Sequence, residues 1–449
     1  MKRSVKQWSV LFATVIITLM ICIVLEYLSV RYNRRYNLTG NLKYELTERT
    51  KKIIRNLNDK LLIIYFGARD KPETDLIRRM LELYTNCSHK IRYKVVDPKR
   101  NPMLVKRYNV GTERVAILLY KGKKERVIVE SERDLTNAIL RLSTKKMKVY
   151  FLVRDGEYQP FEPDTIYTKV GDLLEEENYT LALLKWKRHI YIPHDADLII
   201  IWRPKKEFDK KEIQLLYDYL KNGGKLLFML EPFTVCSLNK FFSKFGVEIN
   251  NEIIVDRASR LVGGDMFMPM IEQKRFGKSP IVNSLTLPIM LPMARPIYVK
   301  EKPRGEIKTE VFLKTSSWSW TVPKEMYDKW EFEYKRSKCR KGPIPVGIEV
   351  WGSGKGIKGK MIIIGSADFA TNPYIDIPGL DNAGFFMNIV EWLCRGENLI
   401  GQRPAPKKFR YRPLKETERK QLLYLIILMP MIVLFIGTVV YLKIKRTRI

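Results

Sequence analysis

Two long apolar segments, one near each end of the 449-residue chain, most constrain what it can fold into. The first covers residues 8–30 and the second covers about residues 422–442. At 1.5 Å per residue, a helix of the 23 residues 8–30 extends about 34 Å, enough to cross a hydrocarbon layer of roughly 30 Å. The sequence therefore predicts a transmembrane anchor at residues 1–30, a transmembrane helix with a basic tail at residues 421–449, and a large folded portion between them.

The charges that flank these segments bear on the orientation of the chain in the membrane. Both short tails are basic, through Lys2, Arg3, Lys6, Lys443, Lys445, Arg446 and Arg448. Two spans place both tails on one side, and basic tails favour the cytoplasm. The inner flanks are basic too, which leaves the opposite orientation open, although large domains cross a membrane regardless of charge. We predict a two-pass protein of the cell (inner) membrane, with both termini cytoplasmic and the bulk of the chain extracytoplasmic or periplasmic.

The chain carries a large excess of positive charge, with 81 Lys and Arg residues against 49 Asp and Glu and a net charge of +32. Such an excess attracts anionic lipid headgroups, acidic envelope polymers or nucleic acid. The basic residues are spread along the chain and form no nucleic-acid-binding motif, so we expect no nucleic-acid partner. A basic solvated surface near an anionic membrane accounts for the charge, and a specific site for an anionic polymer is the alternative.

Residues 31–145 are predicted to form one α/β domain. The apolar run from Leu61 to Phe66 is typical of a buried strand, and further helices and strands follow it up to about Leu142. Their order is strand, helix, strand, helix, strand, strand, helix, which resembles the thioredoxin fold. Thioredoxin chemistry requires two thiols at the start of the first helix, but residues 67–72 contain no cysteine. We therefore predict a thioredoxin-like binding or scaffolding domain without redox cysteines.

Residues 146–400 are predicted to form a second domain around an α/β sheet. Leu198 to Trp202 and residues 226–230 are apolar runs typical of buried strands. The helix between them begins at Asp209 with Glu212 three residues later, which is the pattern of a capping box. Strand, helix and strand in succession make a parallel crossover unit.

The rest of the second domain is less regular. Further strands are predicted at residues 345–351 and 361–365, followed by an amphipathic helix. Residues 256–342 are rich in Pro and Met and show no clear pattern, and residues 401–420 form a basic tether to the second membrane segment.

A glycine-rich segment nearly matches the phosphate-binding P-loop. It reads Gly354-x4-Gly359-Lys360, but Met361 stands where the P-loop has the Ser or Thr that holds Mg²⁺. The segment also joins two predicted strands, whereas a P-loop opens a helix. We predict a hairpin turn, so any ATP-driven work must come from a partner chain.

Other patterns that could carry catalysis are weak. Asp155, Glu157 and Asp164 could form an acidic cluster, but loop carboxylates are usually solvated, and the chain has only three histidines. His189 and His194 flank Tyr191-Ile192-Pro193 just before a predicted strand, and we predict no metal role for them. The five cysteines lie far apart without a C-x-x-C pair, and no G-x-S-x-G elbow is present. We predict no catalytic, cofactor-binding or metal-binding residues, no cofactor and no enzymatic activity.

Several short stretches along the chain resemble one family. They are Tyr36-Asn37-Leu38-Thr39, Leu46-Thr47-Glu48-Arg49-Thr50-Lys51-Lys52, Asp97-Pro98 with Asn101-Pro102, residues 197–232, Ile364-Gly365-Ser366-Ala367-Asp368-Phe369, Asn388-Ile389-Val390-Glu391-Trp392-Leu393 and Arg403-Pro404. Together they resemble the GldG-like auxiliary component of ABC-type transport systems that are named for gliding motility. One departure is Arg154-Asp155-Gly156-Glu157, where the family often reads Gly-His-Gly-Glu.

The resemblance implies a partner ATPase, a polytopic permease and an extracytoplasmic α/β core that is sugar-hydrolase-like, amidotransferase-like or Rossmann-like and lacks catalytic residues. Our leading prediction is a non-catalytic, membrane-anchored accessory subunit of an ABC transporter, in contact with those two subunits and with membrane lipid. The alternative is an envelope protein that holds anionic polymers or lipid headgroups through its basic surface, without a transporter. A membrane-tethered enzyme of thioredoxin-like or hydrolase-like descent is the third interpretation.

Overall fold

The computed structural model describes residues 20, 24, 45–401 and 403, except residues 112–113, 155–159, 162–167, 188, 235, 262–263, 301–306 and 353–356. Apart from a few single positions, the two predicted membrane segments and the tether at residues 401–420 lie outside the described residues. None of the helices that the structure describes is long and apolar enough to cross a membrane.

The first elements after residue 47 build a small sheet. In chain order they are α1 (Glu48–Arg55), β1 (Leu61–Phe66), α2 (Pro72–Cys87), β2 (Ile91–Val96), α3 (Pro102–Tyr108), β3 (Val115–Tyr120), β4 (Lys123–Ile128) and α4 (Glu132–Ser143). The strands lie in the order β2-β1-β3-β4; β1 is parallel to β2 and antiparallel to β3, and β4 is antiparallel to β3. The predicted order of elements in this stretch is confirmed.

The next elements begin a larger sheet. They are β5 (Met147–Arg154), α5 (Thr168–Glu176), β6 (Tyr179–Trp186), β7 (Leu198–Trp202), α6 (Lys210–Lys221) and β8 (Lys225–Met229). The unit β7-α6-β8 is the predicted parallel crossover, and Asp209 with Glu212 forms the capping box at the start of α6.

A long irregular stretch follows before the sheet resumes. It contains α7 (Asn239–Phe242), β9 (Val247–Ile249), β10 (Glu252–Asp256), α8 (Ala258–Leu261), β11 (Met270–Ile271), α9 (Pro280–Asn283), β12 (Ile289–Met290), β13 (Ile297–Val299), β14 (Ile307–Lys314), β15 (Ser319–Pro323) and α10 (Lys324–Tyr327). The chain ends its described part with β16 (Pro345–Gly352), β17 (Lys360–Ile364), α11 (Asn372–Ile375) and α12 (Asn382–Arg395). Short 3₁₀ turns lie at Cys236–Leu238, Ser243–Phe245, Gln273–Arg275, Asp368–Ala370 and Glu397–Leu399.

The large sheet has seven strands in the order β14-β16-β17-β8-β7-β5-β6. The five strands from β17 to β6 are parallel, and β16 and β14 add antiparallel strands at one side. We call the two ends of the parallel strands the amino edge and the carboxyl edge of the sheet. Since β16 and β17 are antiparallel neighbours, the glycine-rich segment joins two strands, as predicted for a turn.

Both faces of the parallel strands are buried, which explains their continuous apolar sequences. Along β7, Leu198 and Ile200 pack into one core with α12, whereas Ile199 and Ile201 pack into a second core with α6. Burying each such side chain contributes about 1.5–3 kcal/mol. The sheet is therefore a rigid frame, and its two edges are the places where polar groups collect.

Candidate functional site

A buried carboxylate at the amino edge of the large sheet binds residues from both ends of the folded portion. Glu177 lies two residues before β6 and is only 2% exposed. Arg49, on α1, donates to its Oε1 and Oε2 atoms at 2.9 and 2.6 Å. Arg403, beyond α12, donates to the same two oxygens at 2.8 and 3.4 Å. One carboxylate thus holds two guanidinium groups that come from opposite ends of the chain.

Residues from α12 complete this cluster. Glu391 lies 3.4 Å from Nη2 of Arg49, and Arg395, one turn later, lies 3.4 Å from the other oxygen of Glu391. Arg395 also donates to the Glu177 carbonyl and stacks over the Tyr179 ring at 4.5 Å. We call Arg49, Glu177, Glu391, Arg395 and Arg403 the terminal junction.

The local sequence explains why α1 delivers Arg49 to this place. Thr47 caps α1 and donates to Glu132 at the start of α4, at 2.9 Å. On the next turn, Thr50 shares a hydrogen bond of 3.0 Å with Thr136 of α4. Because these contacts attach one side of α1 to the small sheet, Arg49 extends from the helix into the amino edge of the large sheet.

The outgoing chain also runs against α1. Lys52 donates to the Ile400 carbonyl at 2.6 Å. A Cβ atom at Gly401 would lie only 3.1 Å from the backbone nitrogen of Arg49, so a larger residue would push the chain away from the helix. The segments that lead toward both predicted membrane spans therefore touch each other at the terminal junction.

The charges in the junction stabilise one another. Burial by itself would raise the pKa of Glu177, but the charges and hydrogen bonds of Arg403 and Arg49 lower that pKa to about 2. Burial, together with Glu391, raises the pKa of the Tyr179 hydroxyl well above its usual range. At neutral pH Glu177 is therefore an anion bound to two guanidinium groups, so the junction is suited to holding the chain in place.

The carboxyl edge of the sheet is where open α/β sheets usually bind ligands, at the point where the strand order reverses. Here that point lies between β5 and β7. Arg154, the last residue of β5, donates to the carbonyl oxygens of Lys206 and of Glu207, the latter at 3.0 Å. Its guanidinium also stacks over the Phe208 ring at 3.8 Å. The reversal point is thus occupied by a buried arginine that secures the loop between β7 and α6.

A second polar cluster lies nearby on the same edge. Arg203 follows β7, forms an ion pair with Glu231, and lies 3.1 Å from Asp368. Burial raises the pKa of both carboxyl groups, and the charge of Arg203 opposes that rise. We call these three residues the edge cluster. Asp368 belongs to the Ile364–Phe369 motif that was singled out in the sequence, and it is the residue of that motif that pairs with Arg203.

The residues singled out from sequence do not come together in one site. Asp155, Glu157 and Asp164 lie outside the described residues. His189 and His194 are exposed on the segment between β6 and β7. Within the part of the chain that the structure describes, no three His, Cys, Asp or Glu side chains are grouped to hold a metal ion.

Sequence reasoning missed the role of the terminal junction. In the sequence, Arg49 and Arg403 stand out only as parts of the motifs that resemble a family, and Glu177 does not stand out at all. One signal was available: Arg49 shares a face of α1 with Ile53, and a charged residue on an apolar helix face requires a buried partner. No pattern in the sequence indicates that the partner is Glu177, which lies far along the chain.

A protein-family model described as "ABC-type uncharacterized transport system" matches residues 146–389, which is more than half of the chain. The chain belongs to this family. It is therefore an auxiliary component of an ABC-type transport system, as the coarser part of the predicted function stated. A second family model, described as a domain of unknown function, matches residues 41–130 of this transport-system protein.

No curated protein matches this ABC-type transport component. Among solved structures, it is similar to the mmIFT52 N-terminal domain, with 19% identity and a TM-score of 0.43 over 56% of this chain and 98% of that one. A putative ThuA-like protein from Bacteroides uniformis shows 12% identity and a TM-score of 0.33 over 55% and 91% of the two chains. An alkylhydroperoxide reductase domain from Enterococcus faecalis shows 11% identity and a TM-score of 0.21 over 30% and 76%. These similarities are too distant to carry a functional argument.

Proposed function

We propose that this ABC-transport auxiliary protein is a non-catalytic, membrane-anchored subunit of the GldG-like kind, which works with a separate ATPase and a polytopic permease. In this proposal the apolar segments 8–30 and 422–442 anchor it beside the permease. The folded portion lies outside the cytoplasm, with a thioredoxin-like domain followed by the larger α/β domain, and presents a surface to cargo or partners.

The observation that carries this proposal is that Arg49 and Arg403 both hydrogen-bond to the carboxylate of Glu177. Both residues lie close in sequence to the predicted spans, so the two connecting segments leave the folded portion from the same place on the amino edge. In this proposal both connecting segments attach to a single buried ion cluster instead of to separate parts of the fold.

The proposal of a non-catalytic role draws support from the carboxyl edge. The guanidinium of Arg154 binds the loop at the reversal point, and Arg203 forms ion pairs with both Glu231 and Asp368. A general acid or base must be free to exchange its proton with substrate, and these groups are engaged with one another. ATP hydrolysis is accordingly assigned to a partner, because the glycine-rich segment before β17 joins two strands.

Purification of the tagged full-length protein in mild detergent tests the proposed partners. We expect an ATPase with nucleotide-binding motifs and a polytopic membrane protein to copurify in fixed ratio. A protein with an unrelated single-span anchor fused to the same tag is the control for nonspecific capture. Recovery of the chain alone, under conditions that preserve other transporters, contradicts the proposal.

Protease protection tests the proposed topology and activity separately. Protease added to intact spheroplasts should digest the folded portion and leave tags at both termini protected until the cells are lysed. Protected folded portion with digested terminal tags would reverse the proposed orientation. Turnover of thiol or glycan substrates by the purified chain, absent from an Arg203→Met/Glu231→Gln variant, would establish an enzyme and overturn the non-catalytic role.

A further inference from the structure

The segment between β14 and β16, residues 315–344, projects from the carboxyl edge of the large sheet. Lys314, at the end of β14, pairs with Pro345, at the start of β16, and β16 begins at the carboxyl end of its neighbour β17. We call residues 315–344 the excursion. It contains β15 and α10, and β15 pairs with β10 in a separate two-stranded sheet.

The base of the excursion is well packed. Trp320 and Val322 of β15 join Ile253 and Val255 of β10 and Met326 of α10 in a buried cluster. The Trp320 indole donates to the Phe332 carbonyl at 3.0 Å. At the root of the excursion, Ser316 donates to Asp256 at 2.7 Å, so the segment is an ordered part of the fold.

Large aromatic rings nevertheless lie in solvent on the outer part of the excursion. Trp330 is 82% exposed, Trp318 is 67% exposed and Tyr334 is 42% exposed. Trp330 lies 6.0 Å from the Phe332 ring and Tyr334 lies 6.5 Å from the Trp320 ring, which fixes both on the packed base. Exposed tryptophans held on an ordered base mark a binding surface, because leaving such area in water forfeits the burial that usually stabilises the residue.

Uncompensated positive charge surrounds these rings. Lys324 pairs with Asp328, and Lys335 pairs with Glu331. The remaining exposed cations at Lys329, Arg336, Lys338, Arg340 and Lys341 form no ion pair with any residue that the structure describes. Against these five stand Glu325 and Glu333, so the excursion carries a net positive charge.

We propose that the excursion binds a linear anionic polysaccharide. The C–H groups of a sugar carry partial positive charge and stack on the negative face of an indole or phenol ring. The free Lys and Arg side chains then bind the phosphate or carboxylate groups spaced along such a chain. Rings set apart by polar residues, as in Ser317-Trp318-Ser319, suit a hydrophilic chain better than a hydrocarbon layer.

The surface of the excursion is separate from the terminal junction. The excursion leaves the carboxyl edge, whereas the terminal junction lies at the amino edge, at the opposite ends of the same strands. The proposal does not depend on the transporter role, and each can fail without the other.

Binding of the full-length protein to defined polymers tests this site. The probes are alginate and lipid-free teichoic acid, with neutral dextran, polyphosphate, single-stranded DNA and phosphatidylglycerol vesicles as comparisons. We expect saturable binding to at least one of the two acidic polysaccharides, none to dextran, and weakening by about tenfold for each of Trp318→Ala and Trp330→Ala. Arg336→Gln/Lys338→Gln should weaken binding mainly at low salt, because exposed charges are screened.

A matched control is available on the same molecule. Tyr191 is 57% exposed but lies on the segment between β6 and β7, so Tyr191→Ala should leave binding unchanged. Near-ultraviolet circular dichroism confirms that each variant keeps its fold. Equal binding by the Trp variants and Tyr191→Ala overturns the proposal. So does tighter, ring-dependent binding to vesicles or DNA than to either polysaccharide, or no polysaccharide binding at all.

Discussion

Arg49 and Arg403, at opposite ends of the folded portion, hydrogen-bond to the same two oxygen atoms of one buried carboxylate. The carboxylate, Glu177, is therefore the point where the incoming and outgoing segments are joined. The two segments therefore attach to the fold at one point. The contribution of this carboxylate to the free energy of unfolding can be measured directly.

Replacing Glu177 with Gln should destabilise the fold by about 3–5 kcal/mol, because it removes the carboxylate that Arg49 and Arg403 share and leaves Arg49 with Glu391 alone. Glu176→Gln is the matched control. Glu176 is the neighbouring residue, but its ion pair with Arg133 is partly exposed, and such pairs contribute about 0–1 kcal/mol. Chemical denaturation monitored by fluorescence measures both. Equal effects of the two substitutions would show that the junction does not stabilise the fold.

The junction should also make stability depend on acid. The pKa of Glu177 is about 2 in the folded chain, below its ordinary value of 4.5. A lowered pKa gives stability that is complete above pH 4.5 and is lost as the pH falls toward 2. We expect this decline to be shallower in Glu177→Gln than in the parent protein. Denaturation curves between pH 2 and pH 6 make the comparison, and parallel declines would contradict it.

Glu349 should produce the opposite dependence at higher pH. Burial in β16 raises its pKa to about 7, and the nearby charge of Glu310 adds to the rise. The folded state therefore binds a proton more tightly than the unfolded state, and stability falls as the pH rises from 4.5 to 7. Glu349→Gln should remove this fall, whereas Glu310→Gln should only shift it to lower pH. Stability measured from pH 4 to pH 8 distinguishes the two, and an unchanged profile in Glu349→Gln would refute the prediction.

Arg154→Ala should loosen the loop between β7 and α6. The substitution removes hydrogen bonds to the Lys206 and Glu207 carbonyls and the stacking on Phe208, and hydrogen bonds of charged groups contribute about 1.5–3 kcal/mol each. Limited proteolysis should show faster cleavage within residues 203–209. Arg154→Lys should restore only part of the protection, because a single ammonium group cannot reproduce the hydrogen-bonding geometry of the planar guanidinium. Unchanged cleavage in Arg154→Ala would show that the loop is held by other contacts.

The elements that could be predicted from sequence are those whose pattern is local. Leu198–Trp202 is an apolar run because a parallel strand is buried on both faces, and Asp209 with Glu212 signals the start of α6 through hydrogen bonds three residues apart. Residues 256–342 gave no such signal. Their strands are short, and their partners lie far away in sequence, as when Glu252–Asp256 pairs with Ser319–Pro323.

The candidate site was hidden for a related reason. Arg49 could be recognised as a charged residue on an apolar helix face, but its partner Glu177 stands in a run of three glutamates, Glu175 to Glu177, with nothing to distinguish it. Only the packing of α1 and α12 against the amino edge makes the third glutamate buried and the second exposed. The exposed rings at Trp318 and Trp330 likewise depend on how the excursion folds.

The parallel alignment of β8 and β17 has a mechanical consequence. Both strands run from the side of the terminal junction to the side of the excursion. Hydrogen bonds join them along their full length, beginning where Lys225 lies opposite Lys360. A pull exerted between those two sides acts lengthwise on the strands, so it strains many ladder bonds simultaneously instead of opening them one by one. The sheet is thus oriented to resist tension along its strands.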